Sequence, residues 1–342
     1  MLKKLMNEAY FTLRITTTGP LLIRSGRATV IGPDMTPVLT FRNNRQEIFL
    51  PGSSLKGVFR SHSEKVVCSL KSHVVCYPFA GNEDKGVDLT ARRKDYRDSC
   101  GAVFTELARG DRAKIDEDTE FVYANSCPAC RLFGSTGFIG RIAIGDAYLT
   151  PDSKPITEQR DGVGIDRLTG GASHGAKFEL EVVSTGVSFE TDIHIRNFEI
   201  WQLGMLFIVL QDLEDELIRI GSGRSRGLGQ VKAQISEQEH DRRPGGFVVS
   251  SIRNDKPPRE LDEPPNELWG LGRWLNDGSY GTRIDDKVSL PQPVARSPRG
   301  IRNLRTFTGE ALDNLRTASI KQFTERMQNW QEPKVPLFLK SR

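Results

Sequence analysis

The stretch Ile48-Phe49-Leu50-Pro51-Gly52-Ser53-Ser54-Leu55-Lys56-Gly57-Val58-Phe59-Arg60 changes its period midway. Ile48-Phe49-Leu50 is a short apolar piece, and Pro51-Gly52 punctuates it. From Ser53 onward Leu55, Val58, Phe59, His62, Val66 and Leu70 recur at helical spacing, which predicts a helix with Ser53 or Ser54 as its N-cap. A helix that begins on Gly-Ser-Ser leaves amide N–H groups at the positive end of its dipole, and such a start attracts anions. Lys56 and Arg60 stand four residues apart, so they share a face and extend the site toward phosphate. An ordinary capped helix with solvated basic residues fits the same stretch.

Working outward, Phe11, Leu13 and Ile15 alternate with Thr12, Arg14 and Thr16, the pattern of a half-buried strand. A Gly/Pro-punctuated loop, Thr18 to Thr40, follows it. This loop carries Asp34 in a Gly-Pro-Asp turn, either as a base or metal ligand or simply as a turn former. Residues 71 to 126, including Gly81 to Gly86 and Arg92 to Asp95, read as a polar surface insertion without a core of its own. Gly140 to Leu149 reads as one strand, and Asp152 to Lys177 as a long polar loop. Phe178 to Val182 and Phe189 to Ile195 then form the arms of a hairpin turning at Gly186. Trp201 to Leu213 is helical, and a Gly-rich loop leads to a last strand, Gln230 to Ile235. This order predicts an α+β, ferredoxin-like sheet with helices on one face.

Composition sets outer bounds. The chain has 342 residues, 37% of them hydrophobic and 27% charged, so a sizeable core is expected and wholesale disorder is not. The net charge is only +4, which leaves a nucleic-acid partner open because a net charge hides patches. There is no apolar run of about 18 residues, so no membrane partner is expected. Met1 to Met6 is too short for a secretory signal, and the chain reads as cytoplasmic.

Five cysteines lie between Cys68 and Cys130, an odd, clustered set that argues for a metal or free thiols over a disulfide framework. Cys127-Pro128-Ala129-Cys130 has the shape of a tight metal-binding turn. Cys76 and Cys100 complete a four-cysteine zinc set that would staple the insertion, with His62 and His73 as substitutes and Cys68 as a buried thiol. A redox Cys-x-x-Cys is the rival reading.

Two further loops bear charge. Gly221-Ser222-Gly223-Arg224-Ser225-Arg226-Gly227-Leu228-Gly229 sets Arg224 and Arg226 among glycines that let a backbone approach a ligand, or else make a flexible turn. Arg160 to Gly171, with Arg167 inside it and Lys177 beyond, suits a projecting finger or a solvated loop. Ten of the 18 prolines follow residue 235, which predicts an extended arm over 236–342 that closes in a helix bearing Leu312, Leu315, Phe323, Met327 and Trp330. That helix either packs on the body or docks a neighbouring subunit.

Taken in order, Ile31 to Val38, Leu50 to Arg60, Cys127 to Gly134, Val163 to Arg167 and Gly221 to Gly229 resemble the RAMP superfamily. Within it they resemble the backbone subunits of type III CRISPR effector complexes. The resemblance covers roughly residues 9 to 235. It implies a ferredoxin-like (RRM-like) palm over 1–235, with a zinc-binding insertion at about 68–134 and a β-hairpin thumb at about 152–190. It implies CRISPR RNA, complementary target RNA and other subunits of the complex as partners. Ser53, Ser54, Lys56 and Arg60 would hold the guide backbone, and Arg160, Arg167, Lys177, Arg224 and Arg226 would also face RNA. Asp34 occupies the place of the aspartate that supports metal-dependent target cleavage, with Mg²⁺ or another divalent cation and the target's 2′-hydroxyl as nucleophile. Pro33 stands where a glycine is common. The cysteine-bearing insertion looks like that of the zinc-containing type III-D and III-E lineage. A non-catalytic guide-binding subunit, or a zinc-stapled interaction protein without RNA, are the other outcomes.

Overall fold

The fold is built on two long strands whose alternation decides which face is inside. β1 (Asn7–Thr17) and β10 (Ser188–Arg196) pair antiparallel, with Phe11 opposite Ile193 and Ile15 opposite Phe189. All four of these side chains are buried. Tyr10, Thr12, Arg14 and Thr16 point to the other, more open face, as period-2 geometry requires. In the computed structural model the described residues are 4–26, 32–42, 44–78, 96–97, 99–104, 119–239, 245–252 and 263–331. The Gly81 to Gly86 and Arg92 to Asp95 stretches lie outside them.

Between β1 and β10 the chain forms β2 (Leu39–Arg42), β3 (Arg45–Leu50), helix α1 (Gly52–Leu70), α2 (Thr119–Asn125), α3 (Pro128–Phe133), β4 (Gly134–Ser135), β5 (Phe138–Ile139), β6 (Ile142–Ile144), β7 (Ala147–Leu149), β8 (Thr157–Ile165) and β9 (Ala172–Val183). After β10 come α4 (Ile200–Glu214), β11 (Val231–Ile235), β12 (Phe247–Ile252), β13 (Glu267–Trp269), α5 (Leu271–Leu275), β14 (Lys287–Ser289), β15 (Ser297–Arg299), β16 (Arg302–Phe307) and α6 (Gly309–Gln328). Among the described residues ten strands form one sheet, ordered β15-β16-β12-β1-β10-β7-β3-β2, with β11 also on β1 and β6 also on β10. The path β1, α1, β6/β7, β10, α4, β11, with spatial order β11-β1-β10-β7, is the α+β ferredoxin-like arrangement that the sequence predicts.

α4 reads Ile-Trp-Gln-Leu-Gly-Met-Leu-Phe-Ile-Val-Leu and is apolar on nearly every side, the signature of a helix covered all round. The sheet covers one side, where Phe207 meets Phe247 at 5.1 Å and Phe247 meets Phe11 at 5.3 Å. α6 covers another. Its Leu312, Leu315, Phe323 and Met327 are all buried, and Trp330 packs edge-on to Trp201 at 5.4 Å. The close approach runs through Gly204, where a Cβ would stand 2.1 Å from the Ser319 carbonyl oxygen.

Three expectations differ from the structure. The 236–342 segment is not simply an extended arm: β12 pairs with β1, and β16 with β12, so the sheet crosses residue 235. Glu263 anchors this region, accepting from the Trp269 amide at 2.6 Å and pairing with Arg305 at 2.8 Å. The Pro-dense pattern misleads because prolines 291 and 293 sit between short strands, while Pro257 and Pro258 lie outside the described residues. The hairpin at Gly186 is also absent. β9 pairs with β8, and β10 turns into the main sheet instead. The polar stretch from 157 is therefore strand, not loop, since a hairpin that projects from the body has no apolar face to reveal it. Finally, Gly140 to Leu149 is two strands broken at Gly145-Asp146.

Candidate nucleic-acid interface and metal centre

The break at Gly145-Asp146 has a purpose. Asp146 Oδ1 accepts the Gly52 amide N–H at 2.7 Å and so caps α1 from outside the helix. Gly52 is needed there: a Cβ would lie 2.4 Å from the Ile144 carbonyl oxygen and 2.7 Å from that of Gly145. Pro51, not a serine, is the N-cap, so Ser53 and Ser54 are exposed within the first turn. Lys56 lies on the same turn, and its Nζ donates to the Ile142 carbonyl at 3.2 Å. Burial, and then the neighbouring Arg60, hold the Lys56 ammonium below its ordinary range.

Arg60 departs from expectation. Its Nε donates to Glu64 at 2.8 Å, one Nη to the Gly134 carbonyl at 3.0 Å, and the other to Cys130 Sγ at 3.4 Å. All three nitrogens donate inside the protein, and the side chain is only partly exposed. Burial works against its charge, but Cys130 and Glu64 outweigh it and hold the pKa above the ordinary arginine value.

Asp34 is exposed, and its Oδ2 accepts the Glu179 amide N–H at 2.8 Å. The loop that carries it is tied to β9 by Leu21–Val183 and Met35–Glu181 backbone bonds of 2.8–2.9 Å. The Gly-rich loop meets the same loop: the Ser222 amide donates to the Leu22 carbonyl and the Gly229 amide to the Pro20 carbonyl, each at 2.7 Å. Leu22, Leu180, Val182 and Leu228 form a small separate core beneath, with Met35 and Phe178 packed on it. Three segments far apart in sequence thus meet on this small core, and Asp34 is carried by one of them. Gly221 and Gly229 serve this contact, because a Cβ would meet the Leu22 and Ile220 carbonyl oxygens at 2.4 and 2.0 Å. Gly221 allows close approach to the neighbouring loop, and Gly229 to Ile220 of its own loop. Arg224 and Arg226 stay exposed on a short turn, with the Arg226 guanidinium 5.5 Å from the centre of the Phe178 ring.

The β8–β9 hairpin projects from this point. Asp166 Oδ1 accepts the Leu168 and Thr169 amides at 2.9 and 2.8 Å and fixes the tip, where Leu168 is 97% exposed. Those bonds, Thr169's first, lower the Asp166 pKa. Arg160 pairs with Glu158, and Lys177 with Asp161 and Glu179, whereas Arg167 at the tip has no such partner among the described residues.

Cys76, Cys100, Cys127 and Cys130 converge, with their sulfurs all within 4.8 Å of one another and every one buried. Cys76 Sγ is 3.5 Å from that of Cys130 and 3.6 Å from that of Cys127. A tetrahedral ion with ~2.3 Å bonds to sulfur spaces its ligands roughly 3.8 Å apart, so the cluster fits a metal such as zinc. Cys127 is the N-cap of α3 and accepts the Cys130 amide at 3.3 Å. The Cys-x-x-Cys pair therefore does open a helix, as a redox pair would. The arrival of Cys76 and Cys100 is what favours a metal. His62 bonds Asp212 instead, and neither it nor His73 belongs to the cluster; Cys68 is half-buried on α1.

Two clefts flank these features. One of about 900 Å³ runs along α1 beside the cysteines, past Lys56, Gly57, Tyr77, Tyr96 and Phe138. The larger, about 1220 Å³, lies on the open sheet face, where Glu47, Asp146, Glu190 and Asp192 stand among Arg42, Arg45 and Lys154. That mixture of signs does not suit a phosphate backbone.

Neither Asp146 nor the arginines at the cysteines could be found in the sequence as such. Asp146 gives no motif, and Arg97, three residues before Cys100, gives only its proximity.

A ferredoxin-like sheet with a projecting hairpin and a buried four-cysteine cluster places the chain among α+β proteins with a metal-ready insertion. The chain matches the model of the RAMP superfamily over residues 14–232, more than half its length, and it belongs to that superfamily. Membership carries, in general terms, the superfamily's CRISPR-associated RNA-binding function. A search of curated proteins returns no match. Among the described residues no helix is long and apolar enough to cross a membrane.

Proposed function

We propose that the chain is a guide-RNA-binding backbone subunit of a type III CRISPR effector complex, of the zinc-containing III-D/III-E-like branch, acting in the cytoplasm. The observation that carries this reading is the convergence of the Asp34 loop, the hairpin base and the Gly-Arg loop on one small core. This supports the reading because the loop with the exposed Asp34 and the loop with Arg224 and Arg226 both pack at the base of one projecting hairpin. Ser53, Ser54 and Lys56 at the α1 start hold guide phosphates, and Arg167, Arg224 and Arg226 supply further cations. Residues 1–235 supply the thumb and the ferredoxin-like part of the palm, and 236–342 extend the palm sheet with β12 and β16 and face other subunits. Zinc at the four cysteines staples the insertion.

Cleavage of target RNA is part of the proposal. The target's 2′-hydroxyl attacks the adjacent phosphorus and the 5′-oxygen leaves, with Asp34 receiving or directing the hydroxyl proton. A divalent cation such as Mg²⁺ would, if bound beside Asp34, supply electrostatic stabilisation of the charge that develops at the phosphate. Among the described residues no group of three or more possible ligands stands at Asp34, so the residues present there do not by themselves form a cation site.

The test is Asp34→Asn, because asparagine can still accept the Glu179 amide while its charge is gone. The reconstituted complex carrying it should bind guide and labelled target RNA as the parent does and stop cutting at regular intervals. Unchanged cutting would reduce the subunit to a non-catalytic guide binder. Failure to bind RNA at all would leave a zinc-stapled interaction module.

A further inference from the structure

A tetrathiolate around a divalent ion leaves about two negative charges, and burying them unpaired is costly. Two guanidiniums reach this cluster from separate elements. Arg97 is 5% exposed; one of its Nη atoms donates to Cys100 Sγ at 2.8 Å and also to the Asn125 carbonyl at 2.9 Å. Arg60, from α1, donates to Cys130 Sγ at 3.4 Å. The backbone adds the Cys127 amide on Cys100 Sγ and the Cys130 amide on Cys127 Sγ, both at 3.3 Å. Among the described residues no N–H donor reaches Cys76 Sγ.

From this geometry we infer that Arg60 and Arg97 are positioning residues of the metal centre, which neutralise the tetrathiolate at two corners and slow release of its ion. The inference rests on the zinc reading above. It assigns Arg60, whose place in the α1 motif suggests a phosphate contact, to the metal instead. Guanidinium suits the task because it stays charged and directs several N–H donors at once. Removing such a hydrogen bond leaves buried tetrathiolate charge without its compensating donor and so weakens the hold on the metal.

Arg60 also couples two sites. The same guanidinium that holds Cys130 fixes the Gly134 carbonyl and Glu64, so the metal knot braces the middle of α1. The helix that offers Ser53, Ser54 and Lys56 to RNA is therefore held from behind by the metal.

The experiment uses the full-length, zinc-loaded chain and its Arg60→Gln, Arg60→Lys, Arg97→Gln and Arg97→Lys variants. Metal content of the parent is measured first; a parent purified without zinc sinks the metal reading itself. With zinc present, transfer of the ion to a colorimetric chelator should quicken about tenfold or more in both glutamine variants, and less in the lysine variants. Cobalt-substituted protein should show a shifted sulfur-to-cobalt charge-transfer band in the same variants. If Arg97→Gln does not fold, Arg97→Lys carries that arm. A second readout is the salt dependence of binding to a labelled single-stranded RNA. Loss of one phosphate contact would lower the slope of log K against log salt by about 0.7. The inference expects that slope unchanged in Arg60→Gln. Parental zinc release in all four variants, or normal release in Arg60→Gln with the slope lowered by about one contact, overturns it.

Discussion

Gly57→Ala and Gly204→Ala make the same chemical change on two helices, and the structure assigns them opposite signs. Gly57 lies in α1, and a Cβ there meets nothing within 4 Å. The alanine removes backbone freedom from the unfolded chain and improves helix propensity, so it should stabilise by roughly 0.5–1 kcal/mol. Gly204 gains the same propensity. Its Cβ, however, would stand 2.1 Å from the Ser319 carbonyl oxygen, 2.6 Å from the carbonyl carbon and 2.7 Å from Phe323 Cβ. Comfortable contact needs about 3.5 Å, so α6 must retreat by well over 1 Å. Phe323, Met327 and Leu315 would each lose part of their packing, and such overpacking costs about 1–3 kcal/mol. Set against the propensity gain, the net effect of Gly204→Ala is destabilisation by about 1–2 kcal/mol. Urea denaturation followed by tryptophan fluorescence and by circular dichroism reads both changes, since Trp201 and Trp330 sit at this contact. The midpoint should rise for Gly57→Ala and fall for Gly204→Ala. If Gly204→Ala stabilises as Gly57→Ala does, α6 is not seated on α4 in solution, and the C-terminal region is an arm after all.

Two further predictions follow from other sites. Lys56→Ala should weaken binding of single-stranded RNA and lower the salt slope by about 0.7, leaving the zinc release rate unchanged; an unaltered slope would remove Lys56 from the guide contacts. Asp286 is buried, accepts the Ile200 amide at 2.9 Å and the Gly272 amide at 3.0 Å, and is pushed up to about 8 by burial and by Glu199. Its folded pKa exceeds the unfolded one, so the folded chain binds the extra proton. Its contribution to stability is full below about 4 and is lost as pH rises toward about 8. Asp286→Asn should therefore flatten the fall in urea midpoint between pH 5 and 8 (about the window between the two pKa values), and an equally steep fall in the variant would refute this linkage.

Local pattern carried the sequence reading furthest where one element buries one face. The alternation of Phe11, Leu13 and Ile15 announced β1, the apolar run from Trp201 announced α4, and the period change after Pro51 announced α1. Four cysteines in a chain without a disulfide framework announced the metal set, although nothing in their spacing says that Cys76 and Cys100 are neighbours of Cys127. The sequence was silent or misleading wherever a residue's role depends on a partner far along the chain. β8 and the outer half of β9 stand away from the core, so they lack the apolar alternation that marks a buried sheet, which appears only from Phe178 to Val182. Arg60 has helical spacing from Lys56, and only the packed structure turns it inward to Cys130.

By itself, then, the sequence determined the α+β class, the main elements of the palm and the identity of four thiols. Tertiary structure alone decided that β12 and β16 complete the sheet and that Asp146 caps α1. It also decided that Asp34 is pinned beside the hairpin by Glu179. The reason is physical: propensity and periodicity are local, while the hydrogen bonds and ion pairs that assign a side chain its task close over separations such as 94 and 145 residues.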